Sequence, residues 1–594
     1  MNLFRSPKSG PVSSGHSEKQ KQFFRSLKKG SRFPTLAQLA HLPRLISKRE
    51  RPTFWTAVAV AVLSFVFLFV WGYNTHLVVV PAHGGSYTEG LIGSPQFINP
   101  IYAPANDVDA DIARFVYSGL MKWDPQAGLI PDLAESYTVS DDELVYTFSL
   151  RSDALWHDGT SVTPRDIIFT FHTIQNPNYG SPLSGTYRGV SIEQVNERTV
   201  SFTLDEPFAP FLSTLGVGIL PADYWGELDP GTMRLAERNL IPIGSGPYKF
   251  DKLEKDKLGV IKSYQLQRFT GYYAGVPNID TIAFKFYPDT AAAIEALNSK
   301  RVEGIAFAPK DQLSKLNGQV VTPSLPQITA LFFNLKNDDV SNKNMRLALG
   351  SAVNKDVLVK EILQNQAAVT HSPVLSSYHN DSTVYGNPTP FDQSVARTSL
   401  DNLGWSVKEG DTIRTDKNGE NLTFTITTVD QPETVSVANR IADMWREVEV
   451  EVNVEVKSPT DFRDNTLKNR DYSILLSGIL MGGDPDPYPF WHSSQIAAPG
   501  LNLSQFANRD ADGFIEAART TTDIDERRTA YASFADQVND VIPAIFLYQP
   551  TYTYVTANKI HGIELETIVV PSDRFGRVQS WYIKTKKRFT FLAF

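Results

Sequence analysis

Residues Ala134 to Phe171 read AESYTVSDDELVYTFSLRSDALWHDGTSVTPRDIIFTF, and this stretch decides the class of fold because a strand, a turn and a capped helix follow one another within it. Tyr146, Phe148 and Leu150 alternate with Val145, Thr147 and Ser149. Such a period is that of a strand with one face in a core and the other in water. Asp158-Gly159 marks a turn, since glycine adopts backbone conformations denied to other residues and aspartate accepts hydrogen bonds from nearby amides. Thr163 then stands where a helix needs a cap, Pro164 suits the first helical position, and Asp166 complements the helix dipole. The spacing predicts a helix from Pro164 to about Ile174. Farther along, Val437, Ile441, Met444, Trp445 and Val448 recur at helical spacing, and Val448, Val450, Val452, Val454 and Val456 then alternate with Glu449, Glu451, Asn453, Glu455 and Lys457. That change of period predicts a helix feeding a strand with one face in a core. Tyr472 to Leu476 is apolar on both faces, as an interior strand is. Strands and helices alternating in this way predict an α/β fold.

Trp156-His157-Asp158-Gly159 together with Asp166 resembles the signature of the family 5 solute-binding proteins, the dipeptide and oligopeptide receptors of ABC importers. Three further segments resemble the same family in the same order. Pro242 to Phe250, PIGSGPYKF, resembles its glycine-rich crossing, and Leu331 to Lys355, LFFNLKNDDVSNKNMRLALGSAVNK, resembles its FFN strand and the helix after it. Asp471 to Trp491, DYSILLSGILMGGDPDPYPFW, resembles an apolar strand running into an aspartate-proline cleft loop. Each motif is short, but their shared order over most of the chain makes coincidence improbable.

The resemblance implies a two-lobed periplasmic-binding-protein-like fold of type II with an accessory subdomain. Lobe I is then expected over 86–327 with the subdomain near 126–238, lobe II over 328–542, and a return to lobe I over 543–594. Ile328 to Asn334 and Ile542 to Tyr548 are the expected crossings, each beside a proline that could set a hinge. The implied function is capture of a peptide between the lobes and its delivery to an ABC permease served by cytoplasmic ATPases, with no chemistry performed by the receptor itself. Nickel complexes, haem and oligosaccharides are further solutes that the family admits. A ligand sensor or envelope assembly protein with the same fold is the alternative function.

Composition sets the bounds. At 594 residues, 42% hydrophobic and 21% charged, the chain is ordinary globular material with room for two or three domains. Cysteine is absent, which excludes disulfides, thiolate metal sites and a cysteine nucleophile, and also the lipidated cysteine that tethers many exported binding proteins. Pro52 to Tyr73 is 22 residues without a charge, flanked by Trp55 and Trp71, and as a helix it is long enough to cross a hydrocarbon core of about 30 Å. Residues 1–51 carry a net charge of +10, which leaves -18 on the rest of the chain. The positive-inside rule then places this basic, largely disordered tail in the cytoplasm and puts everything beyond the linker 74–85 outside, in the periplasm or extracellular space. A cleaved signal peptide is the alternative to an anchor, but the tail is longer than a usual n-region and the apolar run longer than an h-region, so 52–73 reads as an uncleaved signal anchor. Topology and attraction to anionic lipid account for the tail's charge, and no nucleic-acid recognition module accompanies it.

A peptide in water is a zwitterion, so a cleft that buries it needs an acid, a base and strand edges. Asp484 and Asp486 lie just after an apolar strand, where a carboxylate could pair with an α-ammonium; an aspartate near this loop holds the peptide amino terminus in the family, and either residue fits. Tyr488, Phe490 and Trp491 follow and offer either aromatic cleft walls or core packing. Trp405, in the segment LDNLGW, resembles a family position near the ligand, and Tyr102 follows Asn99-Pro100 in the first lobe. For the ligand carboxylate no arginine is singled out: Arg414, Arg440 and Arg463 all read as surface residues. Gly244-Ser245-Gly246 is followed by Pro247 and lacks the Lys-Ser/Thr of a phosphate loop, and Asp141-Asp142-Glu143 reads as a solvated turn. The ten histidines, His371 and His379 among them, form no metal-binding pair, and no nucleophile elbow is present. Two carboxylates in one loop do not span a scissile bond. No cofactor or metal is expected, and a monomer is.

Overall fold

A computed structural model describes residues 47, 49–375 and 386–589, which fall into two compact units. Residues 1–46 of the basic tail, His379 and residues 590–594 lie outside the described residues. The first unit holds the helix Arg51–Thr75 and most of a two-stranded sheet of Leu77–Ala82 with Lys584–Phe589, of which Pro81, Ala82 and Lys584 fall in the second unit. Pro52 sits in the helix's first turn, and Tyr73 meets Phe589 edge to face with ring centroids 5.4 Å apart. Mean hydropathy reaches 2.3 within Arg51–Tyr73, yet none of that apolar window is buried. Phe65, for instance, is 71% exposed. A helix apolar all round requires an apolar surrounding.

The second unit, Pro81–Lys584, contains a lobe for each of two large sheets. The first sheet has seven strands in the order Gln319–Val321, Tyr554–Thr556, Gly304–Ala306, Ser86–Ile92, Thr281–Tyr287, Ile261–Arg268 and Tyr248–Lys255. Ser86–Ile92 runs parallel to both of its neighbours, with Glu89 opposite Phe284 on one side and Gly304 on the other. The second sheet has six strands, in the order Ala367–Val369, Ala544–Pro550, Gln327–Phe333, Ile474–Leu480, Thr423–Val429 and Glu451–Lys457. Along Gln327–Phe333, Leu331 and Phe333 enter one core while Ala330 and Phe332 enter the other. Both faces are covered at the middle of the sheet, which is why Gln327–Phe333, Ile474–Leu480 and Ala544–Pro550 read as largely apolar runs.

A four-stranded sheet of Ala134–Val139, Val145–Leu150, Thr199–Thr203 and Ser191–Asn196 packs beside the first lobe. Here the opening stretch behaves as its periodicity predicts: Tyr146, Phe148 and Leu150 are buried, Gly159 turns with a φ of +93°, and the helix spans Pro164–Gln175. The Asp166 carboxylate accepts from the Thr163 amide and hydroxyl at 2.8 and 2.9 Å, and its other oxygen accepts from the Ala222 amide at 2.8 Å. Ile167, Phe171 and Ile174 bury the helix's inner face, with Phe171 5.0 Å from Phe202 of the sheet between centroids.

Two expectations shift. The valine alternation is not one strand from 448 onward: Glu449 turns with a φ of +61°, Val448 and Val450 are buried in that turn, and the strand proper is Glu451–Lys457. As an edge strand it leaves Val456 42% exposed. The return to the first lobe, expected at 543, comes after Pro550. Ala544–Pro550 pairs with Gln327–Phe333, Leu331 facing Ile545, and its Ile545 and Leu547 fill one core of the second lobe while Phe546 fills the other. The two crossing segments run side by side, with an antiparallel bridge from Ser324 to Thr551 and the Tyr552 amide donating to the Pro323 carbonyl at 2.9 Å.

Candidate functional site

The helix Asp107–Val116 builds the floor of the site. Asn106 caps it, its side chain accepting from the Val108 amide at 3.0 Å. Acids in its first turn and Arg114 in its last complement the dipole at both ends. Val108, Ile112, Phe115 and Val116 face the core, which turns Asp107, Ala110, Asp111 and Arg114 toward a cavity of about 560 Å³. Trp123, Leu129, Leu183 and Tyr187 give it apolar walls, Val569 to Asp573 close another side, and Leu480 with Gly483 come from the second lobe. The cavity thus lies where the lobes meet.

Charges under the floor are largely paired. Arg574, fully buried, binds both oxygens of Asp111 at 2.8 and 2.5 Å and reaches Glu89 at 3.2 Å. Burial pushes the Asp111 and Glu89 carboxyls up, and Arg574 opposes it. Asp573 accepts from the Val569 and Val570 amides at 3.2 and 3.0 Å and pairs with Arg114 at 3.2 Å. Burial raises this carboxyl too, against Arg114 and those amides. Arg114 also donates from Nη2 to the Trp123 carbonyl at 3.1 Å.

None of the acids and aromatic residues singled out in the sequence lines this cavity. Asp484 directly follows Gly483 of the wall, but Arg527 grips its two oxygens at 2.9 and 2.5 Å. Asp486 forms an ion pair with Arg519 at 3.1 Å and accepts from the Tyr488 amide at 3.1 Å. Burial raises its carboxyl, with Arg519 opposing. Tyr488 lies flat on His492, centroids 4.1 Å apart, with the Arg519 guanidinium 4.0 Å from its ring centre. Trp491, offered as a cleft wall, is fully buried in the second lobe among Phe332, Phe506, Phe534 and Phe546. Trp405 packs half-buried against that lobe's other core. Tyr102 is buried beside the cavity, its hydroxyl donating to the Tyr179 carbonyl at 2.9 Å. Arg414, read as a surface residue, is instead buried, bound to Asp401 at 2.5 Å and to the Trp405 carbonyl at 2.9 Å. Asp107, Asp111, Arg114 and Asp573 were not foreseen. For the first three a signal existed, since polar residues at 107, 111 and 114 share one helix face opposite an apolar one.

Two α/β lobes joined by paired crossings around a cavity define a protein that encloses a solute between rigid bodies. Residues 128–499 match Bacterial extracellular solute-binding proteins, family 5 Middle, and the chain belongs to that family. It is similar to the oligopeptide-binding protein AppA of Bacillus subtilis strain 168, 26% identical over 516 residues that cover 85% of this chain and 92% of that one. AppA from Bacillus subtilis in complex with a nonapeptide matches in three dimensions with a TM-score of 0.67 and 25% identity, covering 85% of this chain and 100% of its own. NikZ from Campylobacter jejuni in complex with Ni(L-His) matches with a TM-score of 0.68 and 26% identity, covering 84% and 99%.

Proposed function

We propose that this protein is an extracytoplasmic receptor that encloses a peptide between its lobes and presents it to the permease of an ABC importer, performing no reaction of its own. The observation that carries the reading is the cavity at the lobe junction, large enough for a short peptide and walled by apolar side chains that hold residues without choosing among them. The likeness to an oligopeptide-binding relative supports peptide as the ligand. The likeness to NikZ raises a nickel complex as a second reading, but no histidine lines the cavity among the described residues. The helix Arg51–Thr75 serves as the anchor, with the basic tail inside and the lobes outside. Asp484 and Asp486, each held by an arginine, shape the loop wall that carries Gly483. The receptor acts as a monomer, and closure changes the surface that both lobes offer to the permease.

Thermal unfolding of the full chain in detergent, against di- to octapeptides, Ni(L-His) and oligosaccharides, tests this. A ligand of the native state present at 100 times its Kd adds about 2.7 kcal/mol of stability. A shift with peptides supports the reading, whereas a shift with Ni(L-His) alone replaces the ligand and leaves the fold as it is.

A further inference from the structure

We propose that the strand Lys584–Phe589 is a docking surface for anionic phospholipid headgroups of the same membrane that the helix Arg51–Thr75 crosses. This rests on the anchor reading above and adds a second, ionic contact with the bilayer. The strand reads KTKKRF, and Lys584, Lys586, Lys587 and Arg588 are all exposed. Its partner Leu77–Ala82 reads LVVVPA and brings no charge of either sign.

Position decides what this charge meets. Phe589, the last residue of the strand, packs on Tyr73, and Tyr73 ends the apolar window of the helix. Lipid headgroups begin where such an apolar span ends. A strand rises about 3.3 Å per residue, so the backbone of Lys586, Lys587 and Arg588 stays within about 10 Å of Phe589 whichever way the sheet leans. Long cationic side chains starting from there reach the zone in which a charged surface acts, about 8 Å deep at physiological salt.

The sign of the charge selects the partner. The chain beyond residue 51 carries -18, yet the side chains of these four cations make no hydrogen bond or ion pair among the described residues. Lysine on an edge strand also discourages pairing with a second chain, but a charge of either sign does that. Four cations in a sheet without an acid favour a polyanion. Val79 on the partner strand is 64% exposed, and an apolar side chain beside cations suits the boundary between headgroups and acyl chains. In sequence the cations stand at the far end of the chain from the helix, so they lie outside the flanking charges that orient it. Held at an apolar and an ionic contact, the sheet tilts less freely from the bilayer.

The full chain in lipid nanodiscs tests the inference. A Val79→Cys variant carries an environment-sensitive fluorophore, and a lipid with a nitroxide on its headgroup quenches it. Quenching is expected to be about twofold stronger when phosphatidylglycerol is added to phosphatidylcholine, and that gain to vanish near 1 M salt, where the screening length is about 3 Å. Replacing all three of Lys586→Gln, Lys587→Gln and Arg588→Gln is expected to abolish the gain, and the charge-keeping set Lys586→Arg, Lys587→Arg and Arg588→Lys to retain it. Should the glutamine variant fail to fold, the lipid and salt dependence of the Val79→Cys chain still decides. Equal quenching in both lipids overturns the inference, as does a gain that survives the glutamine substitutions and so comes from the basic tail across the bilayer. A chain that does not enter nanodiscs at all instead sinks the anchor reading beneath it.

Discussion

His157 joins two stretches that are far apart in sequence. Its Nδ1 accepts from the Gly244 amide at 3.2 Å while Nε2 lies 3.1 Å from the Gly246 carbonyl, an arrangement that suits a neutral ring protonated on Nε2. Burial holds its pKa down, to about 4, against the raising effect of the Gly246 carbonyl. The unfolded chain, with a histidine pKa near 6.5, therefore takes up the proton first. Its contribution to stability is complete above about pH 6.5 and is lost as the pH falls toward 4, a loss of about 2 kcal/mol. Urea unfolding at pH 7 and pH 4.5 is expected to show that loss in the unaltered protein and its absence in His157→Asn. Burial also raises the Asp109 carboxyl to about 6, which acts with the opposite sign but is common to both proteins and cancels in the comparison. Residue identity alone announced none of this, nor the fate of the loop aspartates. The partner of Asp484 stands 43 positions away, a separation that no local pattern spans, and the aromatic run after Asp486 fits a wall and a core equally well until the fold chooses the core for Trp491.

At the level of elements, periodicity was a good guide wherever one face meets a core. The strand Val145–Leu150 and the helix Pro164–Gln175 follow it closely; the interior strand expected over Tyr472 to Leu476, apolar on both faces, lies between two neighbours but runs later, over Ile474–Leu480. It failed where a turn interrupts an alternating run, as at Glu449, because a single left-handed residue leaves no mark in hydrophobicity. The glycine-rich crossing makes sense only in space. A Cβ on Gly244 would lie 2.0 Å from the Val116 carbonyl oxygen, while Gly246 already donates its amide to that oxygen at 2.8 Å. The end of the helix Asp107–Val116 therefore rests directly on this backbone. Gly244→Ala is expected to cost about 3 kcal/mol or more, since backbone must move. Gly159→Ala, in open space but at a φ of +93°, should cost only about 1 kcal/mol. Urea midpoints of the two variants check the contrast.

Across the whole molecule, the lobes touch away from the cavity floor at several places, among them the Lys310–Glu433 ion pair at 3.0 Å and a small cluster around Arg519. Arg519 of the second lobe lies 4.9 Å from the ring centre of Phe208 and 4.0 Å from that of Tyr488, and its carbonyl accepts from the Ala209 amide at 2.8 Å. Glu143 accepts from the Thr522 amide and hydroxyl at 3.0 and 2.7 Å. An arginine between two rings contributes about 1 kcal/mol, so Arg519→Ala is expected to open the ligand-free protein and weaken ligand binding threefold to tenfold. Spin labels on introduced cysteines, one per lobe, can read the change in lobe distance because the chain has no cysteine of its own. The strand order has a consequence for how the molecule comes into being. Tyr554–Thr556 is an inner strand of the seven-stranded sheet, between Gln319–Val321 and Gly304–Ala306, whereas the six-stranded sheet is complete at Pro550. A chain leaving the ribosome at about 5–20 residues per second thus finishes its second lobe while the first still waits for a strand. The lobe begun earliest is completed last, and a premature stop just after Pro550 yields one whole lobe and one that can never close its sheet.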